Sequence, residues 1–193
     1  MVTGTDADDD RSHWDQLYRT SQYVFGTEPA IFLKDHVHDL PVGKVLDIAM
    51  GEGRNAVFMA KKGFQVEGVD YSDVAIQKAK RLARNQRVNI TTINADLNHY
   101  SIKPETYDVI LNIDFLLRPL VPQIKKGLKK GGVVVFENYT IDQLKNPSGQ
   151  GMRRDYVLNP GELRELFRDF QILVYRETND GKDAKASLIA RKP

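Results

Sequence analysis

Short apolar runs alternate with amphipathic segments through the central part of the chain. Strands are predicted at the apolar runs, which lie at residues 44–48, 65–70, 88–95, 107–113 and 133–138. Helices are predicted from the helical periodicity between these runs, at residues 55–62, 72–84 and 116–128. A regular alternation of strand and helix is typical of a mainly parallel sheet with right-handed crossovers. In such a sheet, ligands bind at the carboxyl ends of the strands.

The N-terminal part of the chain precedes this alternating core. Residues 1–11 are acidic and polar, which predicts a disordered tail, and one domain is expected over residues 12–193. Residues 13–18 and 30–39 predict two helices, separated by a turn that contains glycine and proline. We expect both helices to pack over the edge of the sheet at which ligands bind.

The C-terminal part does not continue the regular alternation of strands and helices. Residues 139–157 are rich in Asn, Gly, Ser and basic residues, and an irregular stretch of this length is usually functional or mobile. Residues 160–167 predict a helix with Asn159 as its N-cap. The runs at residues 171–177 and 186–191, joined by an Asn-Asp-Gly turn, predict a β-hairpin.

A glycine turn joins the first predicted strand to its helix. Residues 45–55 read V-L-D-I-A-M-G-E-G-R-N. Gly51 and Gly53 allow a tight turn in which the backbone approaches a ligand closely. Asp70 ends the next apolar run, at a spacing typical of a carboxylate that binds ribose hydroxyls. These residues predict a nucleoside-binding βαβ unit.

The charge around this turn indicates which nucleoside cofactor suits it. Ala56 stands at the third position of a dinucleotide fingerprint and is tolerated there, so the glycines alone leave NAD(P) open. Asp47 and Glu52 flank the turn, and Arg54 is the basic residue near them. Acidic surroundings repel a pyrophosphate. They suit S-adenosylmethionine (SAM), because SAM has no phosphate and carries an ammonium and a sulfonium group against one carboxylate.

Class I SAM-dependent methyltransferases share a motif set that this chain resembles. The motifs are carried here by Asp47-x-Ala49-x-Gly51-x-Gly53-x-Asn55, by Asp70 and by Asp96. Residues 23–29 and the later Gly131-Gly132 pair are similar to those of the tellurite-resistance (TehB-like) group. The resemblance covers residues 13–193. It implies an α/β fold with a Rossmann-like, mostly parallel sheet of seven strands, the last strand antiparallel, and helices on both faces.

The resemblance also implies roles for residues near the strand ends. Asp70 is expected to accept hydrogen bonds from the ribose hydroxyls. Asp96 and Leu97 are expected to bracket the adenine, and Asn112 to lie near the sulfonium. The cofactor-binding residues implied in this way are Tyr23, Gly26, Asp47, Ala49, Gly51, Gly53, Asn55, Asp70, Tyr71, Ser72, Asp96, Leu97 and Asn112.

The acceptor side is less defined, because methyl transfer from a sulfonium depends mainly on positioning and desolvation. The resemblance implies a small-molecule methyl acceptor, such as a tellurite-like oxyanion or a small metabolite. Candidates for deprotonating an acceptor are His13, Asp114 and Tyr139. Arg118, with Arg153 and Arg154, is a candidate for orienting an anionic acceptor.

Composition excludes several other classes. The 193-residue chain has no cysteine, which excludes a disulfide framework and a thiolate metal site, and we expect no metal. Its net charge is only +2 and it has no basic arm, so no nucleic-acid partner is expected. No apolar run approaches the length of a membrane span, and the N-terminus is not that of a signal peptide. A cytoplasmic monomer or homodimer without a membrane partner is expected.

Two alternatives remain open at this point. An NAD(P)-binding oxidoreductase predicts a hydride-transfer residue, such as a Tyr-x-x-x-Lys pair, after the fourth strand, and residues 116–128 contain none. A SAM-binding module without catalysis predicts tight binding without turnover. The sequence does not distinguish this second alternative from an enzyme.

Overall fold

The structure is a computed structural model that describes residues 6–193 of the chain. Within this range, seven strands form one sheet in the order β3-β2-β1-β4-β5-β7-β6. The strands are β1 (Lys44–Ile48), β2 (Gln65–Asp70), β3 (Thr91–Asn94), β4 (Tyr107–Ile113), β5 (Leu128–Tyr139), β6 (Gln171–Asn179) and β7 (Ala184–Arg191). β7 runs antiparallel to both of its neighbours, and the other neighbouring pairs are parallel. The predicted α/β class, the seven-stranded sheet and its antiparallel last strand are confirmed.

Helices cover both faces of the sheet. They are α1 (Asp6–Tyr18), α2 (Ile31–His36), α3 (Arg54–Lys61), α4 (Asp73–Asn85), α5 (Val121–Gly127) and α6 (Glu162–Leu166). Neighbouring side chains of a strand point to opposite faces, so β5 sends Phe136 to a core shared with α5 and α6 and Val135 to a core shared with α2, α3 and α4. Among the described residues, no helix is long and apolar enough to cross a membrane.

Several element boundaries agree with the sequence prediction. β1, β2 and β4 have the predicted limits. Their side chains are buried on both faces, and such strands give the continuous apolar runs that locate them in the sequence. Ser72 caps α4 as predicted, because its Oγ accepts a hydrogen bond of 3.1 Å from the backbone N–H of Ala75.

The N-terminal helix begins earlier than predicted. α1 starts at Asp6, so it includes residues that the sequence indicated as tail. Arg11 forms a 2.7 Å ion pair with Asp73, which docks α1 on α4. The rest of the predicted tail, residues 1–5, lies outside the described residues.

Two other helix predictions need correction. The segment 116–128 begins with a 3₁₀ turn (Arg118–Leu120) and becomes α-helical only in α5, because Pro119 and Pro122 lack the N–H groups of a continuous helix. The predicted helix at 160–167 begins at Glu162, and its N-cap is Gly161 rather than Asn159. The Oδ1 of Asn159, which would have to accept from the helix backbone, accepts a hydrogen bond from the guanidinium of Arg154 instead, so this side chain does not cap the helix.

The predicted strand at 88–95 is shorter, and the one at 133–138 is longer. β3 spans only Thr91–Asn94, while β5 spans Leu128–Tyr139. The irregular segment after β5 contains three 3₁₀ turns (Ile141–Lys145, Pro147–Gly149 and Arg154–Tyr156). Gln143, which is buried, accepts a 2.6 Å hydrogen bond from the N–H of Ala184 and thereby fixes this segment against β7.

Candidate functional site

The carboxyl ends of β1, β2 and β4 lie side by side at one edge of the sheet. Ile48, at the end of β1, is in register with Asn112 of β4. Asp47, Asp70 and Asn112 are buried near this edge. The amide of Asn112 donates a 2.6 Å hydrogen bond to the carbonyl of Phe115 and so fixes the turn after β4. The fold therefore brings together three residues that were predicted to bind the cofactor.

The turn between β1 and α3 requires its glycines. Gly51 and Gly53 have positive φ values of 55° and 86°. A Cβ on Gly53 would lie 2.7 Å from the Cβ of Ala79, so α3 and α4 pack at this distance only with glycine at the position. Ala49, which precedes the turn, has a φ of 52°, a conformation that residues with a side chain rarely adopt.

Asp70 is fixed by the backbone on both of its oxygens. Oδ2 accepts a hydrogen bond of 2.8 Å from the N–H of Gly51, and Oδ1 accepts one of 2.9 Å from the N–H of Ser72. Burial raises the pKa of Asp70, and these N–H groups oppose the rise. A carboxylate oxygen has two lone pairs, so Asp70 keeps the capacity to accept hydrogen bonds from ribose hydroxyls. Contact with ribose stays a prediction.

Asp47 carries an unpaired polar atom. Its side chain is 2% exposed, and its Oδ2 has no hydrogen-bond partner. Burial raises the pKa of Asp47 to about 7, while the charge of Arg54 and a hydrogen bond from the N–H of Ala56 oppose the rise. A buried, unpaired carboxylate oxygen favours a cationic ligand. The residue therefore fits the ammonium group of SAM.

A covering segment, residues 18–25, lies over the glycine turn. Glu52 Oε2 accepts a 2.7 Å hydrogen bond from the N–H of Val24, and Glu52 also forms a buried ion pair with Lys78. The ring of Tyr23 lies 5.3 Å from the ammonium of Lys78 and 5.4 Å from the guanidinium of Arg81. The cation–π partners that the structure gives Tyr23 are therefore two side chains of α4.

Two predicted cofactor residues adjoin this covering segment. Gly26, just after it, has a φ of 71° and forms a turn in which its N–H donates to the carbonyl of Tyr23 over 3.2 Å. Asn55 Oδ1 accepts a 2.9 Å hydrogen bond from the N–H of Ala30, which ties α3 to the start of α2. Both residues hold the chain near the turn, and their contact with a cofactor stays a prediction.

Asp96 and Leu97, which were predicted to contact adenine, follow β3, and the predicted cofactor residue Tyr71 follows β2. Asp96 accepts hydrogen bonds from the N–H of Asn98 over 2.9 Å and from His99 Nδ1 over 2.8 Å. The pKa of Asp96 is lowered, because these hydrogen bonds outweigh its burial. The carbonyl of Tyr71 accepts a 3.2 Å hydrogen bond from Asn94. A small cavity of about 60 Å³ lies beside them, lined by Leu97, Asn98, Leu117, Pro119, Leu120 and Gln123.

A polar group of residues, here called the strand-end cluster, lies beyond β4 and β5. Its members are Arg54, Asp114, Glu137, Tyr139 and Lys185. The guanidinium of Arg54 lies 2.8 Å from Oδ2 of Asp114, and the ammonium of Lys185 lies 2.6 Å from Oδ1 of the same carboxylate. Lys185 also lies 3.4 Å from Glu137 and 4.6 Å from the ring centre of Tyr139. Asp114 has a φ of 57°, a left-handed conformation that aspartate tolerates better than most residues.

The charges of this cluster are set by burial and by proximity. Burial opposes the charge of Lys185, but the carboxylates of Asp114 and Glu137 outweigh it and raise the pKa of the lysine. Burial raises the pKa of Tyr139, so its hydroxyl stays protonated at neutral pH. The cluster therefore presents a charged lysine and a protonated phenol at the strand ends.

The structure does not bring the remaining catalytic candidates into this cluster. His13 lies exposed on α1, where its ring contacts Trp14 at 5.8 Å. The guanidinium of Arg118 donates to both carboxylate oxygens of Glu162 and to the carbonyls of Asp155 and Val157. Through these hydrogen bonds, Arg118 holds the segment before α6 in place.

Sequence reasoning missed two residues near the site. Lys185 lies in β7, and no local sequence signal relates it to Asp114, which is 71 positions away in the chain. Tyr18, at the end of α1, is 6% exposed, and its hydroxyl lies 3.1 Å from the position that a Cβ on Gly51 would take. No local sequence signal relates Tyr18 to the glycine turn, because the contact depends on how α1 packs.

Comparison with known proteins gives a family match over most of the chain. A family model described as tellurite resistance protein TehB matches residues 16–186. The chain is 29% identical over 142 residues to a probable S-adenosyl-L-methionine-dependent methyltransferase TehB from Haemophilus influenzae. That alignment covers 69% of this chain and 48% of the relative. The chain thus spans about half the length of the curated relatives it matches.

Solved structures share the fold. TehB from Haemophilus influenzae aligns with a TM-score of 0.72 at 22% identity, covering 95% of this chain and 67% of that one. Phosphoethanolamine N-methyltransferase 2 from Haemonchus contortus, solved in complex with S-adenosyl-L-methionine, aligns with a TM-score of 0.70 at 18% identity. This second alignment covers 96% of this chain and 57% of the other.

Proposed function

Because the chain belongs to the tellurite resistance protein TehB family, we propose that it is a SAM-dependent methyltransferase with a small-molecule acceptor. The observation that carries the proposal is the buried Asp47, whose Oδ2 is unpaired, in the same βαβ unit as Gly51 and Asp70. An unpaired buried carboxylate favours a cationic ligand and disfavours a pyrophosphate. The proposal therefore takes SAM rather than NAD(P) as the cofactor, and it includes no nucleic-acid or membrane partner.

Each part of the cofactor has a proposed partner in the chain. Asp47 faces the ammonium group, and Asp70 accepts from the ribose hydroxyls. Asp96 and Leu97 bracket the adenine, as the family resemblance implies, and Asn112 lies near the sulfonium. The two glycines keep the turn free of side chains, which supports a close approach of backbone and ligand.

The chemistry needs little from the protein beyond positioning. When bound, SAM supplies a methyl group on a positively charged sulfur, which is a good leaving group. The chain has to orient the acceptor and exclude water. Arg54 and Lys185 of the strand-end cluster are cations that a small anionic acceptor can share with Asp114. This arrangement supports a tellurite-like oxyanion, or an anionic small metabolite, as the acceptor.

The strand-end cluster offers a poor general base. Tyr139 keeps its proton at neutral pH because burial raises its pKa. Both oxygens of Asp114 are engaged by cations, so neither is free to take a proton from an acceptor. We therefore propose an acceptor that enters with a free lone pair on a deprotonated atom, as an oxyanion does, and needs no base.

A methyl-transfer assay tests this function. The protein is incubated with methyl-labelled SAM and tellurite, selenite or small anionic metabolites, and methylated products are measured by mass spectrometry. Lys185→Met should lower kcat/KM for the anionic acceptor by about 10-fold or more, as expected for losing a charge-assisted hydrogen bond. Lys125→Met is the matched control, because Lys125 is also ion-paired, with Asp169, but lies on α5.

The possible results separate the proposal from its alternative. Product formation that falls with Lys185→Met and not with Lys125→Met supports an anionic acceptor at the strand-end cluster. Tight binding of S-adenosylhomocysteine without methylation of any acceptor would instead favour a SAM-binding module. Equal loss of kcat/KM in both variants would contradict the role of the strand-end cluster.

A further inference from the structure

The hydroxyl of Tyr18 lies at the cofactor turn. It comes close to Gly51, since a Cβ there would be 3.1 Å from it. Burial, with the carboxylates of Asp70 and Glu52, raises the pKa of Tyr18, whereas Arg54 lowers it. The hydroxyl therefore keeps its proton at neutral pH and can donate a hydrogen bond to a ligand.

Several other donors around this turn are already used by the protein. The N–H of Gly51 and the N–H of Ser72 both donate to Asp70. The N–H of Val24 donates to Glu52 over 2.7 Å. No residue in the described part of the chain forms a hydrogen bond with the Tyr18 hydroxyl, so this hydroxyl is a donor still available to a ligand at the turn.

The chemistry of the cofactor indicates what this donor meets. The ribose hydroxyls of SAM can donate to Asp70, and its ammonium group suits Asp47, so acidic side chains serve both. Its carboxylate only accepts hydrogen bonds and needs a donor. The phenol of Tyr18 can supply this donor, because burial and the charges of Asp70 and Glu52 keep its hydroxyl protonated.

A buried ion pair holds Tyr18 at this place. Lys78 is 6% exposed, pairs with Glu52, and donates to the carbonyls of Tyr18 over 3.1 Å and Gln22 over 2.6 Å. Glu52 in turn accepts from the N–H of Val24 at the other end of the covering segment. One ion pair thereby fixes both ends of the covering segment to the glycine turn.

We infer that Tyr18 is a cofactor-binding residue whose hydroxyl donates to the carboxylate of the SAM amino-acid group, and that Lys78 is the positioning residue that holds it there. This inference rests on the proposed function, because it requires SAM as the ligand. Tyr18 and Lys78 both lie outside the glycine motif. The adenine and ribose contacts are independent of it.

Two ligands that differ in the amino-acid group test the contact. S-adenosylhomocysteine has the carboxylate, and 5′-methylthioadenosine lacks it while keeping the adenine and ribose. Tyr18→Phe should lower the affinity for S-adenosylhomocysteine by about 10-fold or more in calorimetric titrations, as expected for losing a hydrogen bond to a charged group. Its affinity for 5′-methylthioadenosine should stay within about twofold, because losing the hydroxyl alone removes no contact with adenine or ribose. Tyr175→Phe is the control, since that hydroxyl bonds to Glu177 on β6, at the edge of the sheet.

A second pair of variants tests the positioning. Lys78→Met leaves Glu52 buried without its partner and is expected to lower stability, so Lys78→Arg and the double change Glu52→Gln/Lys78→Met are measured beside it. Lys78→Arg should restore most of the preference for S-adenosylhomocysteine over 5′-methylthioadenosine. The double variant should remain folded and lose that preference. If the role of Lys78 is purely structural, its substitution should lower the affinity for both ligands equally.

The outcomes separate this inference from the proposed function. If the unchanged protein binds neither ligand, the proposed function fails and the inference fails with it. If the unchanged protein binds S-adenosylhomocysteine and Tyr18→Phe binds it equally well, only the inference is overturned. An equal loss of both ligands in Tyr18→Phe also overturns it, because the lost contact would then lie outside the amino-acid group.

Discussion

The backbone N–H of Gly51 donates a hydrogen bond of 2.8 Å to Oδ2 of Asp70. This bond joins the turn after β1 to the end of β2, so two motifs that are separate in the sequence form one unit in the fold. Ser72 adds a second backbone bond to Asp70, and its side chain caps α4. The carboxylate of Asp70 is therefore fixed before any ligand arrives, which reduces the ordering cost of binding.

Asp70→Asn should weaken cofactor binding. The variant keeps the shape of the side chain but has only one oxygen, so one of the two N–H groups at this carboxylate loses its acceptor. We expect the affinity for S-adenosylhomocysteine to fall by about 10- to 100-fold, the effect of losing a hydrogen bond to a charged group. Calorimetric titration measures this change. Asp169→Asn, on an exposed carboxylate paired with Lys125, is the control, and an unchanged affinity in Asp70→Asn would contradict the prediction.

Gly53→Ala should destabilise the fold more than Gly63→Ala. Both glycines have positive φ, 86° and 90°, so alanine strains the backbone by about 1–2 kcal/mol at either position. Only Gly53 faces a neighbour, the Cβ of Ala79 at 2.7 Å from the position of an added Cβ. Overpacking of this kind costs about 1–3 kcal/mol more. Urea unfolding measures both variants, and equal losses would show that the packing of α3 on α4 does not require glycine.

Asp47 should make stability depend on pH in a defined direction. Burial raises its pKa to about 7 in the fold, whereas the pKa of an unfolded aspartate is about 3.9. The protonated form is thus favoured in the fold, and its contribution to stability is full below about pH 4 and is lost as the pH rises through 7. Asparagine does not titrate, so Asp47→Asn does not lose stability in this way as the pH rises. The free energy of unfolding of the variant, minus that of the unchanged protein, should therefore increase between these two pH values. The rise is on the order of 2–4 kcal/mol, and parallel pH profiles of the two proteins would contradict the account.

Cofactor binding should also release a proton through Asp47. A cationic ammonium beside its unpaired oxygen lowers the pKa of Asp47, so binding at pH 7 should release a measurable fraction of a proton. Calorimetric titrations with S-adenosylhomocysteine in phosphate and in Tris, which differ in ionisation enthalpy, measure this number. In Asp47→Asn the two buffers should give the same enthalpy. Proton release that persists in this variant would assign the titration to another group.

Arg118→Ala should lower the stability of the fold and leave cofactor binding unchanged. The guanidinium of Arg118 forms two hydrogen bonds with Glu162 and holds the carbonyls of Asp155 and Val157. We expect the free energy of unfolding to fall by about 1–3 kcal/mol, with unchanged affinity for S-adenosylhomocysteine. Urea unfolding and titration measure the two effects. Unchanged stability combined with a lost response to anionic acceptors would instead favour the acceptor role predicted from the sequence.

Much of the fold could be predicted from the sequence, because its signals are local. β1 and β4 are buried on both faces and appear as continuous apolar runs, and the cap at Ser72 is a short-range signal. The start of α1 could not be placed, because docking through Arg11 and Asp73 joins residues 62 positions apart. The N-cap of α6 was misplaced because the Oδ1 of Asn159 accepts a hydrogen bond from Arg154, five positions earlier, and not from the helix backbone.

The candidate site was predictable only where it follows the glycine motif. Gly51, Gly53 and Asp70 lie together as their spacing indicated. The pairing of Lys185 with Asp114 spans 71 positions, and the contact of Tyr18 with the turn depends on the packing of α1, so neither leaves a local signal. Arg118 was predicted to orient an anionic acceptor because it lies near a strand end; in the fold it pairs with Glu162, and its acceptor role stays a prediction.

The most direct test of the central claim is a calorimetric titration of the unchanged protein with S-adenosylhomocysteine and, separately, with NADH. The buried Asp47 and the acidic turn predict binding of S-adenosylhomocysteine and no binding of NADH. Binding of NADH without binding of S-adenosylhomocysteine would contradict the account and indicate an oxidoreductase.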